Sequence, residues 1–165
     1  MAAAGSVLFL VVAPGAIAGL IPWLLTGWNE GLPPYRFPVR ALGVALIAAG
    51  VLALAWAFAR FVMEGAGTPA PIAPTDQLVV GGLYRFVRNP TYVAVVVTVV
   101  GQALFLVRPI LLVYAAGLSA LFAAFVRWYE EPTLARRFGA RYEAYRMAVP
   151  AWRPRLPPWD PEERS

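Results

Sequence analysis

A chain with no cysteine and no histidine must do any polar chemistry with Glu, Asp, Tyr, Asn, Thr and Arg. It offers no thiolate nucleophile, no disulfide framework and no cysteine-bound metal, and it lacks the usual neutral-pH base. The groups that remain gather in two short stretches: Asn89, Pro90, Thr91 and Tyr92, then Arg127, Trp128, Tyr129, Glu130 and Glu131. Carboxylates beside arginine, asparagine and tyrosine suit recognition of a cationic or amino-bearing ligand. Glu130 and Glu131 are adjacent, so on a helix they point about 100° apart and cannot serve one small site equally. Either both are solvated acids ahead of a helix, favourable to its dipole, or one turns inward toward such a ligand. Gly65-Ala66-Gly67 either stops a helix or lets the backbone pass close to a flat ligand. It follows no strand, so a Rossmann phosphate turn is not expected, and no P-loop is present. By default Arg85 and Arg88 are topology and headgroup contacts, and Tyr84 and Tyr92 are interfacial anchors.

The surroundings of these groups are apolar. Of 165 residues, 60% are hydrophobic and only 14% charged, with mean hydropathy +0.64. Soluble domains are about a quarter charged, so too little polar surface is available to cover this chain in water. The bilayer is its expected solvent. All 14 basic residues are Arg, giving net charge +5. In so apolar a chain that excess points to membrane topology and anionic lipid headgroups, and no nucleic-acid partner is expected.

Four spans are expected, at residues 7–25, 41–62, 92–107 and 110–126. The first lacks a basic leader and a small-residue cleavage site, so it is expected to be retained. Pro14, Gly15, Gly19 and Pro22 make it kinked or re-entrant. The second runs 22 residues with no charge until Arg60, long enough for a core of roughly 30 Å. The third and fourth are separated only by Arg108 and Pro109, which demands an antiparallel hairpin. That hairpin carries the start of one helix, at Asn89 to Tyr92, to the end of the next, at Arg127 to Glu131. Between the second and third spans lies a polar loop, residues 63–91. After Arg127 an amphipathic helix is expected over 132–148, burying Leu134, Phe138, Tyr142 and Tyr145. A Pro-rich tail, 150–165, is expected to be extended and partly disordered. The fold class is therefore all-α, one integral membrane bundle over residues 1–165. With four spans, eleven Arg flank the side holding the central loop and both termini, against Arg36, Arg40 and Arg108 on the other. The richer side is expected to be cytoplasmic.

The run from Gly82 through Arg88-Asn89-Pro90-Thr91-Tyr92, the hairpin, Glu130-Glu131-Pro132-Thr133-Leu134, Phe138-Gly139, Tyr142, Tyr145 and Val149-Pro150-Ala151-Trp152-Arg153-Pro154 resembles the isoprenylcysteine carboxyl methyltransferase family. The related membrane phospholipid N-methyltransferases share much of this pattern. The resemblance covers roughly residues 64–154, and Gly65 to Pro71 is similar to a Gly-X-Gly stretch of bacterial members. It implies an integral-membrane enzyme using S-adenosylmethionine, with S-adenosylhomocysteine as product, in a site unlike the soluble methyltransferases. By position, the cofactor would meet Asp76, Gln77, Leu78, Val79, Tyr84, Arg88, Asn89, Pro90, Thr91, Tyr92 and Glu130, with Gly65 and Gly67 nearby. Arg127 is one step from a substrate-binding arginine of the family. With Glu130 and Glu131 it completes the implied catalytic set. Two departures stand out: Asn89 replaces the family's His and cannot act as a base, and Ala151 stands where members often carry Arg.

The implied reaction is an in-line displacement, in which the protein chiefly aligns two ligands. A carboxylate or thiolate acceptor needs no base. An amine must lose a proton to Glu131, a tyrosine or solvent. The acceptor is expected to be a lipid or lipophilic small molecule entering sideways from the bilayer; its identity and the oligomeric state are not encoded in these motifs. Two other functions compete. Membrane sterol reductases carry a related Arg-His-X-X-Tyr region and use NADPH, but are much larger. A transporter or assembly protein would need a polar residue deep in a span, and Gln102 is the strong candidate.

Overall fold

The computed structural model describes residues 12–31, 37–64 and 78–160. Gly65, Gly67, Asp76 and Gln77, the first residues of the span expected at 7–25, and the end of the tail lie outside them. Among the described residues every regular element is helical, and there are no strands. Helix α1 is Val12–Thr26, α2 is Phe37–Glu64, α3 is Pro90–Leu106 and α4 is Pro109–Phe125. A π-helical turn, Val126–Glu130, continues α4 into α5, Glu131–Phe138, and α6 is Ala140–Ala148. Two helical stretches are long and apolar enough to cross a membrane: Phe37–Arg60 and Pro109–Phe138. The uncharged part of the second is residues 109–126, bounded by Arg108 and Arg127. Helices α1 and α3 are shorter apolar helices.

Over its described residues helix α1 has no break, and the irregularity expected from its prolines and glycines takes the form of a π turn, Ala16–Leu20. Pro22 has no N–H and the π turn shifts the hydrogen-bond register, so the carbonyls of Ile17 and Ala18 lose their ordinary intrahelical donors. Side chains replace them: Gln102 Nε2 donates to Ala18 O at 2.6 Å and the Tyr114 hydroxyl to Ile17 O at 2.8 Å. Gln102 is thus structural glue between α3 and α1.

The closest helix pair is α2 against α3. Gly43, Gly50 and Ala57 recur every seventh residue on the buried face of α2. A Cβ on Gly43 would lie 2.6 Å from Phe105 N and 2.8 Å from Gly101 O. Bare backbone is what lets the two helices approach, as membrane helices require when lipid gives no hydrophobic drive. The outer face of α2 exposes Leu42, Val51, Leu52 and Trp56. Helices α3 and α4 form the expected hairpin, turning at Val107 and Arg108. Val95, Val99, Ala103 and Leu106 pack on Leu111, Ala115, Leu118 and Phe122, each set at three- and four-residue steps.

Beyond the hairpin the structure departs from expectation. The single helix expected over 132–148 is two helices, broken at Gly139 with φ 52° and ψ −129°. That backbone conformation is essentially restricted to glycine. The expected stripe survives the break: Tyr142, Tyr145 and Val149 form a second core with Leu78, and Leu134 and Phe138 pack on it. Residues 150–160 form no helix or strand, and they are docked along the segment before α3.

Candidate active site

The hairpin brings the start of α3 to the π turn at the end of α4. Tyr92, in the first turn of α3, donates its hydroxyl to Glu130 Oε2 at 3.1 Å. Arg88, just before α3, donates through NH1 to Glu131 Oε1 at 2.9 Å and to the Tyr142 hydroxyl at 3.1 Å. Its Nε donates to Val149 O at 2.9 Å. The Arg88 and Glu131 side chains are each only 11% exposed, so this ion pair is buried.

Both acids face inward, which corrects the expectation from ordinary helical spacing. Val126 is on the buried face of α4. In an α-helix its fourth successor, Glu130, would share that face and the fifth would turn away. The π turn at Val126–Glu130 widens the spiral, so the fifth successor, Glu131, shares the face too. The two carboxylates then separate by partner. Glu131 is held by Arg88 and, at 3.8 Å through Oε2, by Arg127. Glu130 is held through one oxygen by Tyr92. Glu130 lies beyond the uncharged length of α4, and burial raises its carboxyl above the ordinary range, opposed by the Tyr92 hydrogen bond and by Arg88. Burial likewise raises the Tyr142 and Tyr145 hydroxyls.

The other sequence-derived residues take varied places. Pro90 and Thr91 open α3. Asn89 is buried and donates Nδ2 to Ala151 O at 3.1 Å rather than capping the helix. Tyr84 lies in a 3₁₀ turn, Gly82–Arg85, and its carbonyl accepts the Tyr145 hydroxyl at 2.7 Å. Leu78 belongs to the second core, with Val79 beside it. Arg127 is the outlying member, 72% exposed. Arg85 binds Trp159 O and Asp160, and Arg88 binds Glu131; neither is the simple headgroup contact expected. Sequence reasoning missed the hydroxyls of Tyr142 and Tyr145, taken as an apolar stripe. The available signal was that a buried phenol needs a polar partner.

An apolar groove of about 340 Å³ opens beside this cluster. Its walls are Tyr92, Val93, Val96 and Val97 of α3, Ser119, Phe122 and Ala123 of α4, and Trp152. Tyr92 closes one end, its ring 4.6 Å from that of Phe122. Two inward-facing carboxylates, the Arg88 guanidinium and an apolar groove walled by Tyr92 therefore lie at one end of the hairpin.

The sequence pattern of phospholipid methyltransferases matches residues 39–141. The chain belongs to the phospholipid methyltransferase family. Of the two groups that the residues resemble, this is the one matched, and it makes the chain a membrane methyltransferase. No curated protein and no solved structure matches it. The part common to phospholipid methyltransferases runs from α2 into α6 and includes Arg88 to Tyr92 and both carboxylates. The segment carrying Ala151 and Trp152 lies outside it.

Proposed function

We propose that this phospholipid methyltransferase family member transfers the methyl group of S-adenosylmethionine to a lipid or lipophilic acceptor that enters from the bilayer. The observation that carries it is the hydrogen bond from Tyr92, a wall of the apolar groove, to Glu130: a carboxylate able to hold a cation stands beside an apolar groove. The donor set fits the cofactor, because Glu130 keeps one oxygen outside the Tyr92 hydrogen bond for an ammonium or a sulfonium. Residues 76–79, Tyr84 and the Asn89 to Tyr92 turn would form the rest of that pocket, with Gly65 and Gly67 beside it.

S-adenosylmethionine, when bound, supplies an electrophilic methyl on sulfur. The chain's part is alignment. Tyr92 fixes the Glu130 carboxylate, Glu130 holds positive charge by a charge-assisted contact, and Arg127, a turn below Ala123, meets an anionic part of the acceptor. The groove keeps water from the reacting atoms, which favours neutralisation of opposite charges. For an amine acceptor, both oxygens of Glu131 are already engaged, one by Arg88 and one by Arg127. A tyrosine or solvent then takes the proton.

The topology that supports this chemistry is four crossings by α1 to α4, with the site and both termini in the cytoplasm and α5 and α6 at the membrane surface. The Arg distribution supports it. Family membership favours methyl transfer over NADPH-dependent reduction. Gln102, on which a transporter would have rested, is bound to α1. Calorimetric titration with S-adenosylhomocysteine tests the proposal: wild type binds and Glu130→Ala binds at least about tenfold more weakly. A folded wild type that fails to bind overturns it.

A further inference from the structure

Residues 149–160 run back along the segment before α3 and are tied to it repeatedly. The backbone N–H of Arg88 donates to Pro150 O, that of Arg155 to Phe86 O and that of Trp159 to Arg85 O, each at 2.9 Å. Between the first of these and the groove sits the Asn89 amide, bonded to Ala151 O at 3.1 Å. Asn89 occupies the position before α3 where such a side chain ordinarily caps a helix. Here its donor goes to the C-terminal segment instead, and the residue is only 7% exposed. The next residue after Ala151 is Trp152. Its ring lies 6.5 Å from that of Tyr92 and forms one wall at the mouth of the groove. The other walls belong to α3 and α4 and are held by the core between them. Trp152 alone among the wall residues is carried by a non-helical segment, and Asn89 holds the residue before it.

We propose that Asn89 is a positioning residue and Trp152 a specificity-determining one, together forming a latch that narrows the groove to a single unbranched alkyl chain. This rests on the groove being the acceptor's entry. Its volume, about 340 Å³, is near the lower end of small-molecule pockets, roughly 300–1,000 Å³, room for one alkyl chain. The polar end at Tyr92, Glu130 and Arg127 orients such a chain, with its head at the carboxylate and its tail toward Val96 and Ser119.

The test uses the full chain in nanodiscs with two photoreactive phosphatidylcholines. Both carry a diazirine on one acyl chain and differ only by a methyl branch in that chain. Crosslinks at Val96 and Ser119 are read by mass spectrometry against Leu52, which is exposed on the outer face of α2. Wild type should label the groove with the straight probe and exclude the branched one. Trp152→Ala should raise branched labelling by about tenfold, the discrimination one methyl group commands in an apolar pocket. Asn89→Leu should do the same by releasing Ala151, whereas Asn89→His, which keeps a donor, should retain wild-type selectivity. Equal groove labelling by both probes in wild type, or unchanged selectivity in Trp152→Ala, overturns the latch. If Asn89→Leu does not fold, the Trp152 variant decides. S-adenosylhomocysteine binding is measured on the same samples. Its absence with selectivity intact sinks the methyltransferase proposal and leaves the latch standing.

Discussion

Tyr92 on α3 and Glu130 at the end of α4 are 38 residues apart in the chain and joined by one hydrogen bond of 3.1 Å. That bond closes the mouth of the hairpin. Of the two described site carboxylates, it ties the one without an arginine ion pair to a residue that lines the groove. Replacing Glu130 by Ala should weaken S-adenosylhomocysteine binding by at least about tenfold, since a charge-assisted hydrogen bond contributes roughly 1.5–3 kcal/mol. Tyr92→Phe removes the orienting bond but leaves the charge, so a smaller loss is expected in the same titration. A larger loss in Tyr92→Phe than in Glu130→Ala would contradict this ordering.

Binding should also depend on pH through Glu130. Burial raises the carboxyl above its ordinary value, and only the ionised form pairs with a cationic ligand. Affinity should therefore fall as pH drops through a midpoint above the usual carboxylate range, and recover as pH rises. Glu130→Gln should bind weakly at every pH, with a flat profile. A wild-type affinity that does not change with falling pH would count against charge pairing.

The buried pair of Arg88 and Glu131 has a structural consequence. Glu131→Ala leaves the Arg88 guanidinium without its carboxylate at an 11% exposed position, a change that typically costs about 3–5 kcal/mol. Thermal unfolding in detergent should show a large fall for Glu131→Ala. Arg88→Met combined with Glu131→Met should lose less, because neither charge then remains buried alone. A Glu131→Ala variant as stable as wild type would mean that the pair is not buried.

Helix approach through glycine makes another prediction. Gly43→Val places its Cβ 2.6 Å from Phe105 N, so backbone must move. Overpacking of this kind costs about 1–3 kcal/mol or more. Gly117→Ala on α4 meets nothing within 4 Å and should be neutral. Yield and melting temperature of the two variants, measured side by side, should separate them clearly.

Gln102 and Pro22 should be energetically coupled. Gln102→Leu orphans Ala18 O and should cost about 1–3 kcal/mol. Pro22→Ala restores a backbone donor to α1, so the same change should cost less in that background. Additive effects in the double-mutant cycle would show that the glutamine does not replace the donor missing at proline.

Much of this molecule was legible from one dimension. Charge deficit named the solvent, apolar runs located α2, α3 and α4, and the two-residue break at Arg108 and Pro109 required a hairpin. From that hairpin alone, Asn89 to Tyr92 had to meet Arg127 to Glu131. The order of short motifs named the family. These are local or nearest-neighbour properties, in which composition and spacing act directly on the backbone.

What the tertiary structure decided were the matters that depend on partners distant in sequence. The π turn at Val126–Glu130 has no composition signal, yet it turned both Glu130 and Glu131 inward and gave them different partners. Gly139 split a helix whose periodicity ran straight through it, because a stripe pattern does not register a single positive φ. Gln102 resembled a transport residue until the proline-broken carbonyls of α1, 84 residues away, were found against it. Docking of residues 150–160 along Arg85 to Asn89 gave Asn89 a structural occupation where the family's histidine was expected. Hydrogen-bond satisfaction of buried groups is a global condition on the folded chain, and no local stretch of residues states how it is met.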